Sequence, residues 1–220
     1  MVDPTQTITD YKFLATSKEV DPLNRLWLVQ KKSLDANPPD HTAWNGYLEL
    51  CLYLGHEDEY RSARTRLLAR FGNTTDPHVA ERIGRACLLL PASEEETQKA
   101  VALIDRAVNA DKSTVEAWAP DYFQVAKALA EFRQGHLQSA TEILHGTPSL
   151  VLKPMPQLML AMIQQKQGKT EDARKTLKAT IQDYDWNADK ATDADSWMFH
   201  VLRRQAEKII GPSTLPSSGP

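Results

Sequence analysis

Only two cysteines, Cys51 and Cys87, occur among the 220 residues, and both sit inside apolar helical runs. A disulfide-stapled scaffold is thereby excluded, and the pair reads as two small buried hydrophobes in a reducing compartment. No apolar run approaches the roughly 18 residues that a bilayer span requires, so no membrane contact is expected of this segment. The first residues, MVDPTQTITDYKF, lack a basic stretch followed by an apolar core. No secretory leader is read there, and the cytoplasm is the expected compartment, with room for a longer parent polypeptide. Charge of one sign is also lacking. Lys plus Arg number 26 against 29 acids, a formal net charge of −3 that argues against a nucleic-acid partner. With 41% hydrophobic and 25% charged residues, the composition is that of a folded globular chain.

What is present is a period. From Trp44 to Pro77 two amphipathic helical patterns meet at Gly55, and the unit closes at Asp76-Pro77 after 34 residues. That is the length of the tetratricopeptide helix-turn-helix repeat. Trp44, Tyr47, Leu48, Cys51 and Leu54 share one face of a helix expected over 41–54. Tyr60, Ala63, Leu67, Leu68 and Phe71 form the face of its partner, which Gly72 ends. Upstream, Asp21 is a candidate N-cap with Pro22 in the first turn of a helix that stops before Pro38. Downstream, Asp76-Pro77 opens a second pair, in which Gly84 is small enough to admit a neighbouring helix and Ser93 with Glu96 has capping-box spacing. A third pair turns at Gly135 and a fourth at Gly168. The three hairpin glycines Gly55, Gly135 and Gly168 precede Ala63, Ala140 and Ala173 in one shared grammar. A last helix from about Ser196 to Ile210 carries Trp197, Val201, Leu202, Ala206 and Ile209 on one side, as a terminal cap requires. The expected fold is all-α: a right-handed superhelix of about four tetratricopeptide-like hairpins over 21–210, closed by that C-terminal capping helix. A loose segment over 1–20 and a disordered tail over 211–220 flank it.

Three stretches carry a family resemblance: NPPDHTAWNGYLELCLYLG over 37–55, EYRSARTRLLARFGNTTDPHVAERIGRACLLLP over 59–91, and WMFHVLRRQAEKII over 197–210. They resemble the tetratricopeptide region C-terminal to the catalytic domain in serine/threonine protein kinases of planctomycete-type bacteria, over roughly 20–210. The most specific piece is the arginine-rich helix running into Phe71-Gly72 and Thr75-Asp76-Pro77. The resemblance implies a regulatory or scaffolding module tethered to a kinase. The kinase's own glycine-rich loop, catalytic loop and metal-binding triplet have no counterpart here, so these residues are not expected to transfer phosphate.

Other chemistry is sparse. The six histidines, at 41, 56, 78, 136, 145 and 200, have no ligand at close metal-binding spacing, and neither a metal nor a cofactor is expected. His56 and His136, following hairpin glycines, are expected to face solvent. No serine-nucleophile motif occurs, and Glu94, Glu95 and Glu96 suit a helix start. No enzymatic activity is expected; the catalytic alternative is His78 and Glu81 converging on one cleft with perturbed protonation. Arg61, Arg64, Arg66 and Arg70 on one helix, with Arg82 and Arg85 on the next, form a candidate patch for phosphate or an acidic partner. The alternative is a solvated face paired with Glu57, Asp58, Glu59 and Glu81. A peptide- or protein-binding groove is expected along the first helices of the pairs. Asn45, Glu49, Leu52 and Tyr53 face it from the first pair, and Glu81, Arg85, Leu88 and Leu89 from the second. Tyr122, Val125, Leu129, Phe132 and Arg133 follow from the third, and Met155, Leu158, Met162 and Lys166 from the fourth. A protein or peptide partner is the expectation, with self-association as the alternative.

Overall fold

Four helix starts are set by capping side chains, those of Asp21, Asp76, Ser93 and Asp193. The computed structural model describes residues 21–111, 113–148 and 150–211; the expected loose segment over 1–20 and the expected tail beyond Gly211 lie outside them. The Asp21 carboxylate accepts from the backbone N–H groups of Leu23 and Asn24, and Pro22 opens helix α1 (Pro22–Asp35). After a 3-10 turn over His41–Trp44 comes α2 (Tyr47–Tyr53), which is joined at Gly55 to α3 (Glu57–Phe71). The Asp76 side chain accepts from His78 and Val79 to begin α4 (Pro77–Cys87), and Ser93 does the same from Glu96 for α5 (Glu94–Val108). Two further pairs are α6 (Ala119–Gln134) with α7 (Leu137–Gly146) and α8 (Met155–Lys166) with α9 (Thr170–Gln182). A second 3-10 turn over Ala188–Lys190 precedes α10 (Ala194–Ile210). The described residues contain ten α-helices and no strand, so the protein is all-α.

Short connections force consecutive helices to turn back on each other, and each sequential pair packs together: α2 with α3, α4 with α5, α6 with α7, α8 with α9. The first helices form a continuous inner row, α2 against α4, α4 against α6 and α6 against α8. Gly84 permits one of these contacts. A Cβ built there would lie 2.7 Å from Ile104 Cγ1 and 2.9 Å from the Ala100 carbonyl oxygen, so α4 and α5 touch where only hydrogen fits. Both cysteines are free and buried in this packing.

Two expectations need correcting. The helix expected over 41–54 is broken: Asn45 is extended and Gly46 takes φ +79°, leaving α2 only seven residues. Asn45-Gly46 is a local turn signal, and the turn sits against α10: a Cβ at Gly46 would lie 3.3 Å from the Trp197 ring and 3.4 Å from Ala194 Cβ, both at its start. The second correction concerns α10 itself. It does not merely cap the last pair. It packs on α8 and α9 and also on α2, at the opposite end of the row. Ser196, Trp197, Met198 and Phe199 are consecutive and all buried. At 100° per residue they point to every side of the helix, which a one-sided cap cannot accommodate.

Guanidinium and amide groups fasten α10 across the row. Arg204 donates to the carbonyls of Leu52 (2.6 Å) and Tyr53 (3.0 Å), satisfying the C-terminal end of α2. Gln205 donates to the Leu89 carbonyl at 2.8 Å, just beyond α4. Arg133 of α6 donates to the Leu88 and Leu89 carbonyls at 2.6 and 2.5 Å and to the Gln205 amide oxygen at 2.9 Å. Burial pulls the Arg133 guanidinium down to about 10, still charged at neutral pH.

Candidate functional site

Most of the residues expected to line an open groove are instead buried in the core, to which α10 contributes. Leu52, Leu88, Val125, Leu129, Phe132, Met155, Leu158 and Met162 are all buried. Arg133 is spent on carbonyls and on Gln205. Only Asn45 and Lys166 remain exposed, with Tyr53 and Tyr122 half-buried. The expectation of an open concave groove is corrected accordingly. Magnitude decides that α10 is core and not a displaceable plug. Burial of Met198, Phe199, Val201 and Leu202 is worth roughly 6–12 kcal/mol together, comparable with the whole stability of a domain.

Nor do the candidate arginines act as one patch. Arg61 is exposed and bound to Glu57 (2.8 Å) and Asp58 (3.1 Å) within its own helix. Arg64 is buried, donating to Glu96 at 2.7 Å and to the Pro91 carbonyl at 3.2 Å. Arg66 donates to the Leu34 carbonyl and stacks over Trp44. Arg70 is exposed beside Phe71. Arg82 points elsewhere, into a cleft on the other side of α4.

That cleft is where the sequence-expected residues do meet. It is open, about 440 Å³, and lies between α2, α4, the start of α6 and the start of α10. Asn45, Glu49, Glu81, Arg82, Arg85 and Tyr122 line it, and so does His78. Five residues outside the sequence expectation complete it: Trp118, Phe123, Asp193, Ala194 and Asp195. Arg85 Nε donates to Glu81 Oε1 at 2.6 Å, while its Nη1 reaches Asp195 Oδ1 at 3.3 Å and Met198 Sδ at 3.1 Å. Burial works against this guanidinium, yet Glu81, Asp195 and Glu49 more than offset it and hold the charge. Glu49 is only 3% exposed, and no other described residue donates a hydrogen bond to its carboxylate. Its burial pushes it up to about 7 against the pull of Arg85.

An aromatic wall stands over these charges. Trp118, 54% exposed, meets Tyr122 edge to face at 5.2 Å between ring centres. The His78 ring lies 5.5 Å from both Trp118 and Phe123, and its Nε2 is 2.6 Å from Glu116 Oε2. His78 and Glu81 thus share a cleft, but each pairs with a different residue, His78 with Glu116 and Glu81 with Arg85. Of the other histidines, His56 departs from expectation: it stacks on Trp27 at 4.0 Å and is half-buried, whereas His136 is exposed and bound to Glu131 at 2.9 Å. Among the described residues no three His, Cys, Asp or Glu side chains are placed to hold a metal ion, and no helix is long and apolar enough to cross a membrane. The Trp118–Phe123 run of aromatics around Pro120 was a visible signal for the wall. Nothing in the sequence signals Asp195, 110 residues from Arg85.

No family model, no curated protein and no solved structure matches the chain.

Proposed function

We propose that this chain is a non-catalytic protein-interaction module, a tetratricopeptide-like array of helical hairpins that engages a partner segment at the cleft between α2, α4, α6 and α10. The observation that carries the reading is the cleft itself, open to solvent and walled by the half-exposed Trp118, beside a row whose apolar groove α10 already fills. The 34-residue period and the shared grammar of Gly55, Gly135 and Gly168 support the tetratricopeptide-like superhelix. All three glycines turn with φ near +80°. The resemblance of 37–55 and 59–91 to kinase-tethered arrays makes a regulatory or scaffolding segment of a bacterial serine/threonine kinase, in the cytoplasm, the setting we propose. A binding role is favoured over a catalytic one because His78 and Glu81 each pair with another residue, Glu116 and Arg85, and not with one another.

The test is titration of the full chain with three unstructured nonapeptides, acidic, neutral and basic, followed by the NMR shift of the Trp118 indole N–H. A saturable shift with one class, lost in Trp118→Ala, is expected. Silence of that resonance with all three removes the reading.

A further inference from the structure

The charges in the cleft do not balance. Four carboxylates, Glu49, Glu81, Asp193 and Asp195, face two guanidinium groups, Arg82 and Arg85. Arg85 gives its hydrogen bonds to Glu81 and Asp195 and reaches Glu49 through its charge alone. Glu49 remains, almost wholly buried, aimed into the cleft and accepting from no side chain among the described residues. A carboxylate so far out of water, with its own backbone N–H as its donor, is costly to ionise, on the order of several kcal/mol, unless a ligand supplies further donors. The same cleft carries an aromatic wall, and the described residues offer no metal-binding triad. That combination suits an organic cation over a metal ion. A guanidinium matches it better than an ammonium, because its plane stacks on indole and phenol faces while its paired N–H groups meet a carboxylate in parallel.

We propose that the cleft binds an arginine side chain of a partner protein, with the guanidinium against Glu49 and its face under Trp118 and Tyr122. The proposal rests on the interaction-module reading above. It also assigns Glu49 a proton-coupled role. Bound cation favours the ionised carboxyl, so affinity rises as pH rises from 6 to 8, by about tenfold for a carboxyl titrating near the middle of that range. The groups facing Glu49 are Arg85, Glu81, Arg82 and His78 of α4 and Asp195 of α10, with Asp193 just before it.

The experiment uses the full chain and a glycine-serine nonapeptide carrying one central arginine, with its lysine and citrulline counterparts, read by the Trp118 indole resonance between pH 6 and 8. The arginine peptide is expected to bind at least about fivefold more tightly than the lysine peptide, with the citrulline peptide inert. Glu49→Gln is expected to weaken arginine binding about tenfold and to flatten its pH profile. Trp118→Ala, at an exposed position, is expected to weaken binding without altering the fold. Arg82→Gln is expected to strengthen binding by removing a competing cation. Equal binding of citrulline, an unchanged pH slope in Glu49→Gln, or loss of binding in Arg82→Gln overturns the proposal. Binding of an acidic or neutral peptide alone overturns it while leaving the interaction reading in place, and silence with every peptide removes both.

Discussion

Replacing Glu49 by Gln should change how stability depends on pH, and the size of the change follows from burial. In the fold the carboxyl is raised from the ordinary 4.5 to about 7. The folded protein therefore holds this proton more tightly than the unfolded chain does. Its contribution to stability is fully present below about pH 4.5 and is lost as pH rises through about 7. Each unit corresponds to about 1.4 kcal/mol, so the wild-type protein gives up about 2–3 kcal/mol at this site between pH 5 and pH 8. Glutamine keeps the shape and has no proton to lose. Urea unfolding of both proteins at half-unit steps across that range isolates the effect. The histidines, and the carboxylates of Glu59, Glu96 and Glu131, which sit low because their hydrogen-bond and ion-pair partners outweigh burial, are common to both proteins and cancel in the difference. The stability of Glu49→Gln relative to wild type should climb by about 2–3 kcal/mol from pH 5 to pH 8. Curves that stay parallel to within about 0.5 kcal/mol would refute the claim that Glu49 is a desolvated carboxyl lacking a sufficient counter-charge.

Gly84→Ala sets a helix-propensity gain of about 1 kcal/mol against a Cβ forced onto Ile104 and the Ala100 backbone. Overpacking of that kind costs about 1–3 kcal/mol, and because one clash is with backbone a melting temperature lowered by several degrees is expected. Arg133→Met strips donors from the Leu88 and Leu89 carbonyls and should cost about 2–3 kcal/mol in urea unfolding, with faster amide exchange where α4 meets α10. The arginines of α3 should separate cleanly. Arg61→Ala, in an exposed pair, should change stability by under about 0.5 kcal/mol, whereas Arg64→Ala, which removes the cation beside Glu96 and the donor to the Pro91 carbonyl, should cost about 2 kcal/mol or more.

Local chemistry made the helices legible. Asp21-Pro22, Asp76-Pro77 and Ser93 start helices in the sequence and in the structure for one reason: each side chain accepts from the orphan N–H groups of the turn that follows it. Period did the same for the hairpins, since Gly55, Gly135 and Gly168 mark turns whose geometry depends only on their immediate neighbours. Part of the candidate site was legible too. Glu49, Glu81, Arg85 and Tyr122 share a helical phase that turns them inward.

Tertiary structure decided what that inward face meets. The sequence of α10 reads as amphipathic, and only its contact with both α2 and α8 makes it the filling of the row. Gly46 ends the first helical pattern, and only the fold shows that the Trp197 ring lies against that turn. Glu49 is an unremarkable glutamate in the chain. It becomes a perturbed acid because burial depends on everything packed around it, and because Asp195, from the far end of the chain, takes a share of Arg85. Capping and periodicity act over a few residues and are written in sequence order. Desolvation and charge balance are sums over neighbours in space, and folding alone assembles those neighbours.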